Sequence, residues 1–256
     1  MIDLKMDDRL ESFTPLEKLP DCSSITVGHK FLEKVNMRSN LDSRRKLTFL
    51  LDNLALPDGG NVLEIGPGAC NFGLEFCQRG YNYHGYDMVR ENAELWNAVK
   101  SFYKLDCDVI VQDICTVETA DKESFFDGIF SFSTFEHVHD QMKALRNCHR
   151  MLKPGGRIII IDGNMLDPRG IYSMLFKRKD GGIKWLFNKS RVYESYGMGW
   201  KGKCEDVKSV FWWRRNLKKA GFKVLAVTTT SAFRGWVRRC GLWPFLGGII
   251  SVGEKK

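Results

Sequence analysis

Short apolar runs alternate with amphipathic stretches along most of the chain, and each pair predicts a strand followed by a helix. In the amphipathic stretches the apolar residues recur at the helical spacing i, i+3, i+4, i+7, as Leu47, Leu50, Leu51 and Leu54 do. The predicted strands are 61–66, 81–87, 108–114, 125–133, 156–162, 222–230 and 247–256, and the predicted helices are 47–54, 71–79, 89–103, 138–152 and 210–220.

Strands that alternate with helices predict parallel β-α-β units, and hence a doubly wound α/β sheet with helices on both faces. Residues 109–111, 128–132 and 158–161 are almost entirely apolar, so these strands are expected to be buried on both faces. Asp42 or Ser43 is the expected N-cap of the first helix. Sheets of this kind bind ligands beyond the carboxyl ends of their strands, which is where functional residues are expected.

Three of the predicted strands end in residues suited to one ligand. The first runs into a glycine-rich turn, residues 66–71, whose backbone a ligand can approach closely. Asp87 ends the second strand, 21 residues after Gly66, where a carboxylate accepts hydrogen bonds from ribose hydroxyls. Asp113 ends the third, within reach of the exocyclic amine of an adenine. Together they predict a ligand with a ribose, an adenine and a carboxylate tail.

These segments resemble, in order and spacing, the motifs of the class I S-adenosylmethionine (SAM)-dependent methyltransferases, in their broad small-molecule branch. VLEIGPGACNF is similar to motif I, HGYD and VQD supply the second- and third-strand acids, FDGIFSFSTFEHV resembles the fourth-strand segment, and LKPGGRIIIID resembles the turn into the fifth. The resemblance covers residues 45–162 and, more loosely, 205–256. It implies a Rossmann-like, seven-stranded, mostly parallel sheet with an antiparallel last strand. It also implies SAM as cofactor and S-adenosylhomocysteine as product.

The resemblance implies roles for single residues. Gly66 and Gly68 are expected under the amino-acid part of the cofactor, Asp87 at its ribose, Met88 beside the adenine and Asp113 at its amine. The implied cofactor-binding residues are Glu64, Gly66, Pro67, Gly68, Asn71, Asp87, Met88, Asp113, Ile114, Ser131 and Phe132. Cys70 replaces the family's third glycine, a departure that leaves open the hypothesis of a catalytically inactive scaffold.

Glu136 and His137 follow the fourth strand, close to where the resemblance implies the methyl group. An imidazole exchanges protons near neutral pH, so His137 is the predicted base for a hydroxyl acceptor, with Glu136 beside it. The alternative is a structural role for both residues, in which they order the loop or stabilise the start of the next helix. No metal site is expected at His137, His139 and Asp140, because positions i and i+2 of a helix point in different directions.

Charge divides the 256-residue chain unevenly. Its net charge is +8. Residues 1–168 contain 19 Lys and Arg against 26 Asp and Glu, whereas residues 169–256 contain 20 Lys and Arg against 5 Asp and Glu. Six of the seven tryptophans lie in the second part. A basic, aromatic-rich segment suits nucleic acid, an anionic substrate or a membrane surface, and a merely solvated face is the alternative.

The domain prediction is an N-terminal arm or cap, residues 1–40, followed by a methyltransferase domain, residues 41–256. Residues 163–204 are too long for a simple connection and are expected to form a cap over the acceptor pocket. Residues 231–246, which mix aromatics with arginines, form a second insertion suited to peripheral membrane contact or to a hairpin or dimer contact. The cap residues suited to an acidic substrate or to lining its pocket are Lys177, Arg178, Lys179, Lys184, Arg191, Tyr193 and Tyr196.

The predicted activity is methyl transfer to an oxygen of a small-molecule or lipid- or sugar-linked acceptor. The basic residues of the predicted cap suit an anionic acceptor. An RNA methyltransferase is the alternative, although the fourth strand lacks the Pro-Pro-aromatic and Pro-Cys sequences of base-modifying relatives. Nucleic acid is therefore not the expected partner. The sequence does not indicate an oligomeric state.

The first ten residues contain acids and no apolar run, so no secretory signal is expected. Residues 240–253 lack charge but are too short, and too rich in glycine, for a membrane-spanning helix. The eight cysteines form no CxxC pair. We therefore expect a cytoplasmic protein with reduced thiols. Any contact with a membrane is expected to be peripheral.

Overall fold

The computed structural model describes residues 10–69, 71–168, 207–230 and 246–256, and the backbone of residues 192–193 and 203–204. Its helices in these ranges are α1 (Gly28–Asn36), α2 (Leu41–Leu54), α3 (Asn71–Gln78), α4 (Arg90–Tyr103), α5 (Gln141–Met151) and α6 (Val210–Lys219). Its strands are β1 (Asn61–Ile65), β2 (Asn82–Asp87), β3 (Cys107–Val111), β4 (Phe126–Phe132), β5 (Leu152–Asp162), β6 (Val192–Tyr193), β7 (Lys203–Cys204), β8 (Lys223–Thr229) and β9 (Ile249–Glu254). The predictions for Cys70, for the side chains of the cap and for residues 231–245 lie outside the described residues.

Seven strands form one sheet in the order β3-β2-β1-β4-β5-β9-β8. The neighbours among β1 to β5 are parallel, whereas β9 runs antiparallel to both β5 and β8. The predicted doubly wound sheet with an antiparallel last strand is therefore confirmed. Within the segment predicted as a cap, β6 and β7 pair antiparallel as a separate two-stranded ribbon.

Strand β5 shows how one apolar run covers both faces of the sheet. Ile158 and Ile160 pack in one buried cluster with α5 and α6, whereas Ile159 and Ile161 pack in the other with residues of α1 to α4. Successive residues of a strand point to opposite faces, so a continuous apolar run is needed where helices cover both. Each buried isoleucine contributes roughly 1.5–3 kcal/mol by removing apolar surface from water.

Strand β3 differs from the prediction of burial on both faces. Ile110 is 39% and Val111 48% exposed. The strand lies at the edge of the sheet, and the connection to β4, residues 112–125, contains only a 3₁₀ turn at Ala120–Lys122. The prediction is wrong because no helix from this crossover covers the end of β3.

Two helix starts also differ from the predictions. The side chain of Asn40, rather than Asp42 or Ser43, caps α2 by accepting from the backbone N–H of Asp42. Helix α5 begins at Gln141 instead of residue 138, because the Asp140 side chain accepts from a backbone N–H of its first turn. Residues 135–137 before it form a separate 3₁₀ turn.

Among the described residues, no helix combines the length and apolarity needed to cross a bilayer. The cysteines whose side chains are described are free thiols: Cys22, Cys77, Cys107, Cys115 and Cys148.

A buried carboxylate on α3 joins the N-terminal segment to the sheet layer. Glu75 is fully buried and forms ion pairs with Arg38 (2.6 Å) and Arg79 (2.7 Å). The backbone N–H of Thr14 also donates to it at 2.8 Å. Residues 10–18, which we call the N-terminal strap, are thus attached to α3 through one side chain.

Replacing Glu75 with glutamine is expected to lower the free energy of unfolding by about 3–5 kcal/mol, because the buried Arg38 loses the charge that compensates it. Urea unfolding measures the loss. The matched control is Asp42→Asn, which removes the exposed partner of Lys46 and should cost less than about 1 kcal/mol. Equal stability of the two variants would contradict a structural role for the buried network.

Candidate functional site

The turn after β1 adopts a backbone conformation that favours glycine. Gly66 and Gly68 have φ values of 72° and 51°. The N–H of Gly66 donates to the carbonyl of Tyr86 at 2.8 Å, and a Cβ on Gly66 would collide with the side chain of Thr134. The turn is therefore held closely between the ends of β1, β2 and β4.

Asp87, the last residue of β2, connects this turn to α4. Its carboxyl is 6% exposed and accepts from the N–H groups of Gly68 (3.0 Å) and Val89 (2.8 Å) and from Nδ2 of Asn92 (3.0 Å). Burial raises the pKa of Asp87, and these hydrogen bonds oppose the rise. The carboxyl is thus fixed by the glycine turn and by the start of α4, at the edge of the sheet where it also lines a cleft.

A cleft opens beyond the carboxyl ends of the central strands. It brings together six of the predicted cofactor-binding or catalytic positions: Gly66, Gly68, Asp87, Met88, Ile114 and His137. Sequence reasoning missed further lining residues: Ile65, Tyr86, Val89, Asn92, Gln112, Ser133, Thr134 and Val138. Asn92 carried the clearest available signal, an amide in the first turn of the helix after Asp87.

The remaining predicted residues near the turn support the cleft from behind. Pro67 packs over Gly85 of β2, Ser131 Oγ donates to the carbonyl of Ile65 at 3.1 Å, and the Phe132 ring stacks on Phe72 at 4.5 Å. None of these three lines the cleft. Asn71, at the start of α3, differs from them because its Oδ1 is buried and has no hydrogen-bond partner among the described residues.

Asp113 lies two residues beyond β3, in a turn that the cleft does not include. Its Oδ1 accepts from the N–H of Cys115 at 2.8 Å, and its Oδ2 lies 3.9 Å from Nδ1 of His139. Potential ligand atoms of these three residues lie within 4.8 Å of one another. Burial raises the pKa of the Cys115 thiol to about 11, so the protonated form, a poor metal ligand, prevails at neutral pH.

Glu64 is buried in the sheet behind the glycine turn. Its Oε2 accepts from the hydroxyl of Tyr83 at 2.6 Å, and that ring occupies the space left by the missing side chain of Gly73. Burial raises the pKa of Glu64 to about 8, while the Tyr83 hydroxyl opposes the rise and the charge of Asp87 adds to it. The residue thus supports β1 and β2 and does not line the cleft.

The 3₁₀ turn after β4 carries the predicted catalytic pair. His137 lines the cleft, and its Nε2 lies 3.8 Å from Oε1 of Glu136. The other oxygen of Glu136 accepts from the N–H of Gly163 at 3.1 Å, just after β5. Glu136 is therefore fixed between the ends of β4 and β5, and a carboxylate so placed stabilises a positively charged imidazole.

A second carboxyl at this edge, Asp162, was not identified from the sequence. It ends β5, is 5% exposed and has one oxygen without a hydrogen-bond partner among the described residues. Burial and the charge of Glu136 raise its pKa well above the ordinary value, against the opposing backbone N–H groups of residues 134–136. Its position at the end of the GRIIIID strand was the available signal.

The raised pKa of Glu64 predicts a pH dependence of stability. Because the folded-state value of about 8 lies above the ordinary 4.5, the stabilisation is complete below about 4.5 and is lost as pH rises through 8. Between about pH 6 and pH 8 the wild type should therefore lose roughly 1–2 kcal/mol more than Glu64→Gln. Urea unfolding at both pH values measures this, and parallel losses in the two proteins would contradict the assignment.

Residues 63–160 match the family model described as a methyltransferase domain. Ubiquinone biosynthesis O-methyltransferase from Pseudomonas aeruginosa is 33% identical over 113 residues, which are 43% of this chain and 47% of that protein. An S-adenosyl-L-methionine-dependent Diels-Alderase from Talaromyces variabilis is 30% identical over 121 residues, 46% of this chain and 41% of its own. The chain thus spans about half the length of the curated relatives it matches.

A solved SAM-dependent methyltransferase from Aquifex aeolicus superposes with a TM-score of 0.55 at 17% identity, covering 82% of this chain and 89% of that one. This similarity extends the agreement in fold beyond the region of sequence similarity. Together with the sheet order, it shows that this chain shares the fold of that protein, and residues 63–160 are in addition similar to a methyltransferase domain.

Proposed function

We propose that this protein transfers the methyl group of SAM to an oxygen of a small-molecule or lipid- or sugar-linked acceptor. The observation that carries the proposal is a single cleft whose walls include the glycine turn, the Asp87 carboxylate and the His137 imidazole. SAM supplies an electrophilic methyl group and leaves as S-adenosylhomocysteine. The similarity to ubiquinone biosynthesis O-methyltransferases supports oxygen as the acceptor atom.

The residues on the cofactor side fit SAM. Gly66 and Gly68 line the cleft with positive φ values and no side chain, so a ligand can approach the backbone of the turn closely. Asp87, which also lines the cleft, is placed to accept from a ribose hydroxyl. The unpartnered Oδ1 of Asn71 is suited to the ammonium group of an amino acid. Met88, 40% exposed at the cleft, offers an apolar surface for the adenine. Gln112 lines the cleft and Asp113 does not, so Gln112 offers the polar group for the adenine.

The acceptor side provides a base and a fixed carboxylate. His137 takes the proton of the acceptor hydroxyl, and Glu136, 3.8 Å away, stabilises the resulting imidazolium. Alignment of the two reactants within one cleft lowers the barrier by roughly 7–11 kcal/mol relative to free solution. The excess of Lys and Arg in residues 169–256, 20 against 5 Asp and Glu, supports an anionic acceptor. Peripheral membrane contact would give access to a lipid-linked one.

Cofactor binding is tested by Gly66→Ala. The added Cβ meets Thr134, and φ of 72° strains any side chain, so affinity for S-adenosylhomocysteine should fall by at least roughly tenfold in calorimetry. Gly80→Ala is the matched control, since Gly80 has a φ of 82° but open space around it. Undiminished binding by Gly66→Ala, or no binding by the wild type, contradicts the proposed cofactor site.

Methyl transfer is tested with methyl-labelled SAM and a panel of hydroxybenzoates, catechols and glycosides. His137→Gln should lower kcat roughly 10²-fold at neutral pH and leave the affinity for S-adenosylhomocysteine unchanged. A normal rate in this variant would exclude His137 as the base. Because one relative is a Diels-Alderase, labelled product is the required readout; cofactor binding by the wild type without any labelled product contradicts methyl transfer to this acceptor class.

A further inference from the structure

Helix α6 presents an unusual outer face. Its buried side chains include Val210, Trp213 and Leu217, which pack onto the sheet. Every exposed residue of the helix lies on the opposite face, and all but one are cations: Phe211, Arg214, Arg215, Lys218 and Lys219. The helix contains no acidic residue. We call these five residues the α6 face.

The charge on the α6 face is uncompensated by the described part of the chain. No ion pair involves Arg214, Arg215, Lys218 or Lys219 among the described residues, whereas nearby Lys223 pairs with Glu254 at 2.9 Å. Phe211, at 64% exposure, is the most exposed of the large apolar side chains described. An aromatic ring kept in water beside four unpaired cations indicates a surface that binds something apolar and anionic at once.

The α6 face lies on a helix that packs directly against the candidate acceptor side. The Trp213 ring contacts the ring of Phe135 (centroids 5.7 Å apart), which begins the 3₁₀ turn of Glu136 and His137. Just before α6, Val207 lies beside Gly163, where a Cβ would be 3.1 Å from Val207 Cγ1. An external surface that bound the α6 face would therefore lie close to the acceptor side of the cleft.

We propose that the α6 face docks the protein on an anionic lipid bilayer. Anionic headgroups match the four cations, each of which strengthens attraction to such a leaflet by roughly fivefold, and the Phe211 ring suits the headgroup boundary. RNA fits less well, because stacked bases need aromatic platforms in a groove. The α6 face is convex with a single ring, and it lines neither large cleft of the described chain.

The biological purpose of this docking rests on the proposed function, since docking through the α6 face would bring a lipid-linked acceptor to the cleft. The binding itself needs neither SAM nor acceptor. Failure to bind vesicles and failure to transfer a methyl group to a water-soluble acceptor are therefore separate results.

The experiment is co-sedimentation with vesicles of phosphatidylcholine alone or with about 30% phosphatidylglycerol, at about 0.1 M salt. The wild type should bind the anionic vesicles at least roughly tenfold more tightly than the neutral ones. Phe211→Ser and the double variant Arg215→Glu/Lys219→Glu should each weaken that binding, the double variant by at least roughly tenfold. All three proteins should keep the same melting temperature and the same affinity for S-adenosylhomocysteine.

The matched control is Lys34→Glu/Arg45→Glu, which changes net charge equally but on exposed positions of α1 and α2, in the opposite layer. It should bind anionic vesicles within about twofold of the wild type. An equal loss in the control would show attraction to net charge alone and overturn the proposal. So would unimpaired binding by both α6 variants, no binding by the wild type, or tighter binding of a single-stranded RNA that the α6 variants abolish.

Discussion

The buried carboxylate of Asp87 holds three parts of the chain in one arrangement. It accepts from the glycine turn after β1, from the residue that precedes α4 and from an amide one turn into that helix. The donors come from the turn after β1 and from the start of α4, so displacing either part leaves a buried acceptor without its partner, which is costly in a region of low dielectric constant. The mouth of the cleft therefore keeps its shape before a ligand arrives.

Much of the fold follows from local pattern. The apolar runs of β1, β4 and β5 and the turn glycines predicted the strands correctly, since parallel strands between two helical layers tolerate few polar residues. The exposure of Ile110 and Val111 was not predictable, because it depends on the crossover after β3 lacking a covering helix. The residues next to a strand in sequence do not indicate whether the following connection will cover that strand.

The candidate site divides in the same way. The glycine turn, Asp87 and His137 carry signals of type and spacing, and they meet in the cleft. Asn92 lies five positions from the acid that it contacts, and Asp162 ends a predicted strand, so each carried only a weak positional signal. The contact of Asp162 with residues 134–136 joins segments distant in sequence, which no local pattern reveals. Asp113 has the expected type and spacing, yet a turn two residues long directs its carboxylate to a local N–H instead. The spacing of residues along the sequence predicts the edge of the sheet at which they lie. It does not predict the direction in which a side chain points.

The N-terminal strap has a consequence for the order of folding. Its contacts reach from Glu11 to Thr48, from Thr14 to Glu75 and from Lys18 to Tyr103, which are 37, 61 and 85 positions apart. Closing loops of this length costs chain entropy that only an already assembled α2, α3 and α4 can offset. The strap therefore attaches after the helical layer has formed, and its protection from a protease would report completion of that layer.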